Sequence, residues 1–318
     1  MERAARAPRG GPVPAVAGPT PLEAAPEGLA DGRAVFLKRE DAHELGAFKW
    51  RGALPVLEAY RANGVSTVVT ASTGNHAAAT AWAAQRLGLR AVIFVPEGAS
   101  PVKLALIERF GPELRLVAGD FDETKEVAER FADEHGLPHF EDGAERIQYE
   151  GYGAIADELL QQMDERPGAV VVPVGNGALL GGIALEVCRR SPETLRIGVA
   201  AKDAPVMVES WEAGHVVESD RSSSFADGLA VRVAIPFAVD VLGEVASRML
   251  LVSEREMAQA IGRLARAGIR VEAAAAAGLA VLPQLGDVEG PIVLVVTGRN
   301  IDDETFTRAV ERPETFPD

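Results

Sequence analysis

The chain has 318 residues, 47% hydrophobic and 25% charged, which is enough to bury one large core or two medium ones. A net charge of -15 argues against nucleic acid or an anionic membrane as partner, because phosphate rewards Lys and Arg. The single cysteine, Cys188, excludes an internal disulfide and a cysteine-based zinc site, so a reducing, cytoplasmic setting is expected.

Residues 1 to about 18 are rich in Ala, Pro, Gly and Arg without periodicity and are predicted to be a disordered tail. No segment has the unbroken apolar stretch of a signal peptide, or the ~18–20 apolar residues of a membrane span. From there the chain alternates short β-branched runs with helical patterns. Strands are predicted at 34–38, 66–71, 91–95, 113–117, 169–173, 195–200 and 292–296. Helices are predicted at about 53–63, 75–87, 101–110, 121–135, 152–163, 179–190, 254–266 and 273–284. Such alternation specifies an α/β fold with mainly parallel twisted sheets and helices on both faces. It falls into two blocks, about 52–142 and 145–318, joined by Phe140-Glu141-Asp142-Gly143. Ser253 and Glu256 form a capping box at the start of one helix. Cys188, in the helical run Ile183-Ala184-Leu185-Glu186-Val187-Cys188, is expected to be a buried thiol.

Lysine occurs at five positions, and Lys49 stands between Phe48 and Trp50 in Gly46-Ala47-Phe48-Lys49-Trp50-Arg51-Gly52. An amine among apolar groups is poorly hydrated when charged, so more of it is the free nucleophile that attacks an aldehyde. The alternative is a lysine extending from the first turn of a helix past ordinary core aromatics.

Ligands of parallel sheets bind beyond the carboxyl ends of the strands, and three loops there are unusual. Ser72-Thr73-Gly74-Asn75-His76 opens a helix and offers hydroxyls and amides to an anion, although capping by Ser72 or Thr73 alone is the simpler reading. Gly175-Asn176-Gly177-Ala178-Leu179 lets backbone N–H groups approach a phosphate. It also looks like part of a dinucleotide fingerprint, with Asp203 as ribose acid, except that it lies mid-chain rather than in the first strand-helix unit. Thr297-Gly298-Arg299-Asn300 places a hydroxyl at a strand end, and a plain turn is the alternative. Glu209, Glu212, Glu218 and Asp220 read as a solvated acidic face, and no metal is expected.

Taken in order, these segments resemble the fold-type II pyridoxal-phosphate enzymes (the tryptophan synthase beta-like superfamily), most closely the threonine and serine dehydratases. The resemblance rests on Thr20-Pro21-Leu22, Leu37-Lys38-Arg39-Glu40-Asp41, the Lys49 tract, Ser72 to His76, Val95 to Lys103, Phe225-Ala226-Asp227-Gly228 and Val271-Glu272-Ala273. It implies a large cofactor-binding domain of 19–51 with 143–318, a small domain of 52–142, and a homodimer or larger assembly. It also implies pyridoxal 5'-phosphate as cofactor, with Lys49 as Schiff-base lysine and as the base at the substrate Cα. Phe48 would pack on the cofactor, Asn75 would bond its 3'-oxygen, and Gly175, Asn176, Gly177, Ala178 and Leu179 would hold its phosphate. Thr297 would face its ring nitrogen, and Ser72, Thr73, Gly74 and His76 would cradle the carboxylate of a small amino acid.

A hydroxyl, unlike a carboxylate, does not hold a pyridine nitrogen protonated, which favours loss of a β-substituent over transamination. The implied activity is therefore an ammonia-lyase reaction on a β-hydroxy amino acid such as threonine or serine. Thr73, Ala78 and Ala273 depart from the usual dehydratase residues, and the Ser-Thr-Gly-Asn run is similar to threonine synthases. β- or γ-replacement, and then racemization, are the alternatives.

Overall fold

The buried apolar runs form the strands of two sheets. The protein is represented by a computed structural model that describes residues 18–30 and 32–318. In chain order it contains β1 (Leu22–Ala24), β2 (Val35–Arg39), α1 (Trp50–Ala62), β3 (Thr67–Ala71), α2 (Asn75–Leu87), β4 (Arg90–Pro96), α3 (Pro101–Glu108) and β5 (Glu113–Val117). Then come α4 (Phe121–His135), α5 (Arg146–Gln162), β6 (Ala169–Pro173), α6 (Ala178–Arg190), β7 (Leu195–Ala201), α7 (Val206–Ala213) and α8 (Pro236–Val245). The chain closes with β8 (Arg248–Val252), α9 (Glu254–Arg266), α10 (Ala273–Ala280), β9 (Ile292–Val296) and α11 (Asp303–Glu311).

Contacts divide the chain into a smaller unit built on Val56–Phe140 and a larger one of Pro19–Pro55 with Glu141–Asp318. The division falls inside α1, after Pro55. The expected tail lies outside the described residues except for Gly18, which is exposed.

The larger unit holds a six-stranded sheet in the order β1-β2-β9-β6-β7-β8. Its centre is β6 (AVVVP) and β9 (IVLVV), every residue of which is buried, as expected of parallel strands covered on both faces. β1 pairs antiparallel with β2 at one edge, and the other pairings are parallel. The smaller unit holds a parallel sheet in the order β3-β4-β5. Between its first two strands runs α2, an alanine-rich helix buried from His76 to Ala84 and closed by Gly88 at φ 70°. The capping box of α9 forms: Ser253 N–H donates to Glu256 at 2.6 Å, and Glu256 N–H donates to Ser253 Oγ at 3.1 Å.

Cys188 corrects the expectation of a buried thiol, because it is exposed. The buried stripe of α6 runs through Ile183, Ala184 and Val187, and Leu185 and Cys188 sit on its outer side. The alternation did not reveal β1, β8, α7, α8 or α11. β1 is three residues long, and β8 is a short edge strand that follows α8 after only two residues.

Candidate active site

In the larger unit, backbone hydrogen bonds tie the lysine tract to the third loop. Phe48 N–H donates to Thr297 O at 3.0 Å, Arg299 N–H donates to Gly46 O at 2.8 Å, and Ala47 bridges Gly298. Gly46 adopts φ 65°, and a Cβ there would lie 2.6 Å from Asn300 Oδ1. Lys49 thereby sits in the turn immediately before α1, beside the carboxyl end of β9.

The aromatic flanks of Lys49 do not surround it as the sequence suggested. Phe48 is buried, with its ring centroid 4.9 Å from the amine and 5.2 Å from the Tyr152 ring. Trp50 instead stacks on His43 at 4.5 Å. The amine meets a carboxylate, with Lys49 Nζ 2.5 Å from Asp142 Oδ2. In the sequence Asp142 stands out only as part of the joint between blocks. It lies 93 residues from Lys49, so local pattern carries no signal of the pair.

Asn176 links the main chain of Asp142 to the glycine loop. Its Nδ2 donates to Asp142 O at 2.9 Å, and its Oδ1 accepts from Ala178 N–H at 3.1 Å. The glycines around it are required by close approaches. A Cβ on Gly175 would lie 2.2 Å from Gly228 O, and Gly177 holds φ 88° at the cap of α6 with Met207 Cε 2.8 Å from a built Cβ. At the third loop a Cβ on Gly298 would meet the Glu272 carboxyl at 2.7 Å. Thr297 beside it is 2% exposed, and its hydroxyl has no hydrogen-bond partner.

A buried charge cluster fixes the start of α1. Arg51 donates to Glu40 at 2.7 Å and to Glu158 at 2.7 Å, and Lys38 Nζ donates to Glu158 at 2.7 Å and to Thr20 O at 2.8 Å. Lys38, Glu40 and Arg51 are almost fully buried, and the four charges balance. Burial pushes Glu158 up, but hydrogen bonds and charge from Arg51 and then Lys38 outweigh it and hold the carboxyl below 4.5. Burial lowers Lys38, with Glu158 opposing it. Glycines bring α5 against this corner: a Cβ on Gly151 would lie 2.0 Å from Arg51 O, and one on Gly52 would lie 2.5 Å from the Tyr152 hydroxyl.

In the smaller unit, Ser72 to Asn75 are half-buried at the start of α2. Gly74 N–H donates to Ser72 Oγ at 3.2 Å. His76 is buried, with Nε2 3.2 Å from Phe140 O and its ring 4.6 Å from the Phe140 ring. That contact occupies the imidazole edge within its own unit. Among the described residues no group of three or more His, Cys, Asp or Glu is placed to hold a metal ion, and Glu209 pairs with Arg221 at 2.8 Å.

The residues of the larger unit suit a phosphorylated, aldehyde-bearing heteroaromatic cofactor. Gly177 makes the left-handed turn at the N-terminus of α6, a helix start whose backbone N–H groups suit a phosphate. Lys49 supplies the amine, and the unpartnered Thr297 hydroxyl is the buried group that a ring nitrogen would satisfy. Fold and residues together define a cofactor-dependent enzyme of the two-sheet α/β type.

The chain belongs to the family of pyridoxal-phosphate dependent enzymes, whose model matches residues 13–298. It is similar to an L-threonine ammonia-lyase of Geobacter sulfurreducens, at 33% identity over 285 residues covering 88% of this chain and 71% of that protein. It is also similar to the biosynthetic L-threonine dehydratase IlvA of Pasteurella multocida, at 38% identity over 202 residues, and the match spans 39% of that longer protein. Among solved structures, the processed form of threonine deaminase isoform 2 from Solanum lycopersicum superposes with a TM-score of 0.88 at 30% identity, over 94% of this chain and 89% of that one. The fold is therefore fold type II, and the enzyme uses pyridoxal phosphate.

Proposed function

We propose that the protein is an ammonia-lyase that converts a small β-hydroxy amino acid, such as L-threonine or L-serine, to a 2-oxo acid and ammonia. The observation that carries this reading is the buried, unpartnered Thr297 hydroxyl at the end of β9, beside the Lys49 turn. Pyridoxal phosphate, when bound, supplies an electron sink for the carbanion formed at the substrate Cα. Thr297 offers its ring nitrogen a hydroxyl rather than a carboxylate, which moderates that sink and favours departure of a β-substituent.

Lys49 would hold the cofactor through its amine and, once that amine is free, would take the Cα proton at Nζ. Phe48 would pack on the ring, Asn75 would bond the 3'-oxygen, and Gly175, Asn176, Gly177, Ala178 and Leu179 would hold the phosphate. Ser72, Thr73 and Gly74 bind a carboxylate through hydroxyl and backbone donors at the start of α2. His76 contributes its backbone there, since its ring is engaged with Phe140. The larger unit is the cofactor domain in this reading, which also takes the enzyme to be cytoplasmic and a homodimer or larger. The names of the relatives support elimination, and no helix among the described residues is long and apolar enough to cross a membrane.

The test is a screen for ammonia and 2-oxo acid release across β-hydroxy, β-amino and O-activated amino acids, with and without added nucleophiles. Release from threonine or serine alone supports the lyase. Product formed only when a nucleophile is present would assign a replacement enzyme.

A further inference from the structure

Among the charged groups of the larger unit, the Lys38–Glu40–Arg51–Glu158 cluster is closed and buried, whereas the Lys49–Asp142 pair stands apart from it with 15% and 26% of its side chains exposed. Asp142 is held from several sides. Gln148 Nε2 donates to its other carboxylate oxygen at 3.3 Å, Asn176 holds its carbonyl, and Gly143 follows at φ 90° with Asn176 Nδ2 2.8 Å from a built Cβ. Gln148 thus holds the carboxylate at the end of Lys49, and the asparagine that orders the glycine loop holds the main chain of the same residue.

We infer that Asp142 is a further catalytic residue, whose carboxylate holds the ammonium that Lys49 becomes on taking the Cα proton. This inference rests on the elimination reading above. The step balances without a co-reactant: Cα–H breaks and Nζ–H forms, and the electron pair left at Cα expels the β-hydroxyl. The departing hydroxyl recovers that proton from Nζ and leaves as water. Asp142 remains a carboxylate throughout and takes no proton. Its work is electrostatic, because a fixed anion sits where positive charge appears in the transition state. Tyr149 and Tyr152 of α5 are titratable groups that feel its charge. Burial first, and the Asp142 charge second, push both phenols upward, so neither competes as an anion.

The experiment compares Asp142→Asn and Asp142→Glu holoenzymes with the parent. Without substrate, the pH at which the visible absorption band of the bound cofactor is half converted should fall by roughly 1 unit in Asp142→Asn and stay near the parent value in Asp142→Glu. With substrate, kcat should fall by about 10²–10³-fold in Asp142→Asn with KM little changed, and the isotope effect from Cα deuteration should increase. An unchanged midpoint with kcat within about 3-fold of the parent would overturn the inference. Loss of the band in Asp142→Asn would also overturn it, by assigning Asp142 to cofactor retention instead. If the parent releases no 2-oxo acid, the elimination reading fails, while the substrate-free midpoint still reports on Asp142.

Discussion

In the proposed reaction Thr297 would set the kind of chemistry and Lys49 would make it possible, so single atoms at these two positions carry distinct expectations. Thr297→Ser keeps the hydroxyl and should retain activity. Thr297→Val preserves shape but removes the group, and kcat should drop by about 10-fold or more, the order expected for one lost polar contact in a preorganised site. Thr297→Asp would hold a ring nitrogen protonated and should divert turnovers into transamination, visible as progressive bleaching of the cofactor band during turnover. Equal product ratios in Thr297→Asp and the parent would remove the argument from the hydroxyl. At this scale the sequence was most informative where a residue follows an apolar strand. Thr297 and Gly175 could be picked out because β9 and β6 are unbroken buried runs whose ends are easy to find. Asp142 could not, because its meaning depends on a partner 93 residues away.

The elements that hold these atoms depend on close backbone approaches and on one buried charge cluster. Gly175→Ala would drive a methyl into Gly228 O, and Gly177→Ala would strain a left-handed cap, so both should weaken cofactor binding measured by equilibrium dialysis. Removing one member of the charge cluster leaves buried charge uncompensated. Arg51→Met should lower unfolding free energy by about 3–5 kcal/mol in urea titrations. The cluster also predicts a pH dependence. Glu158 is held below 4.5 in the fold, so the stability it contributes is complete above about 4.5 and is lost as pH falls through its folded-state value. Glu158→Gln should flatten that acid limb, and an unchanged limb would show that other carboxylates govern it. Helices with strong amphipathic pattern or caps, such as α2, α4 and α9, match their predicted spans. Between β7 and α9 the sequence carries little periodic pattern, and Pro236 at the first turn of α8 is its clearest start signal.

At the scale of the molecule, family membership makes bound cofactor part of the native state. Pyridoxal phosphate that binds only folded protein should raise its stability by about 2.7 kcal/mol at 100-fold excess over Kd, seen as a higher Tm in thermal scans. If Lys49 carries the proposed covalent link, Lys49→Ala should lose most of this gain. The α/β architecture was legible because alternating strands and helices admit few topologies. The antiparallel β1 was not, since three residues carry too little pattern.

The most direct test of the account is the product formed from L-threonine or L-serine as sole substrate, in the parent and in Lys49→Ala. The parent should give equimolar ammonia and 2-oxo acid, and the variant neither. An intact amino acid returned with inverted configuration, or product that appears only when an external nucleophile is supplied, would contradict it.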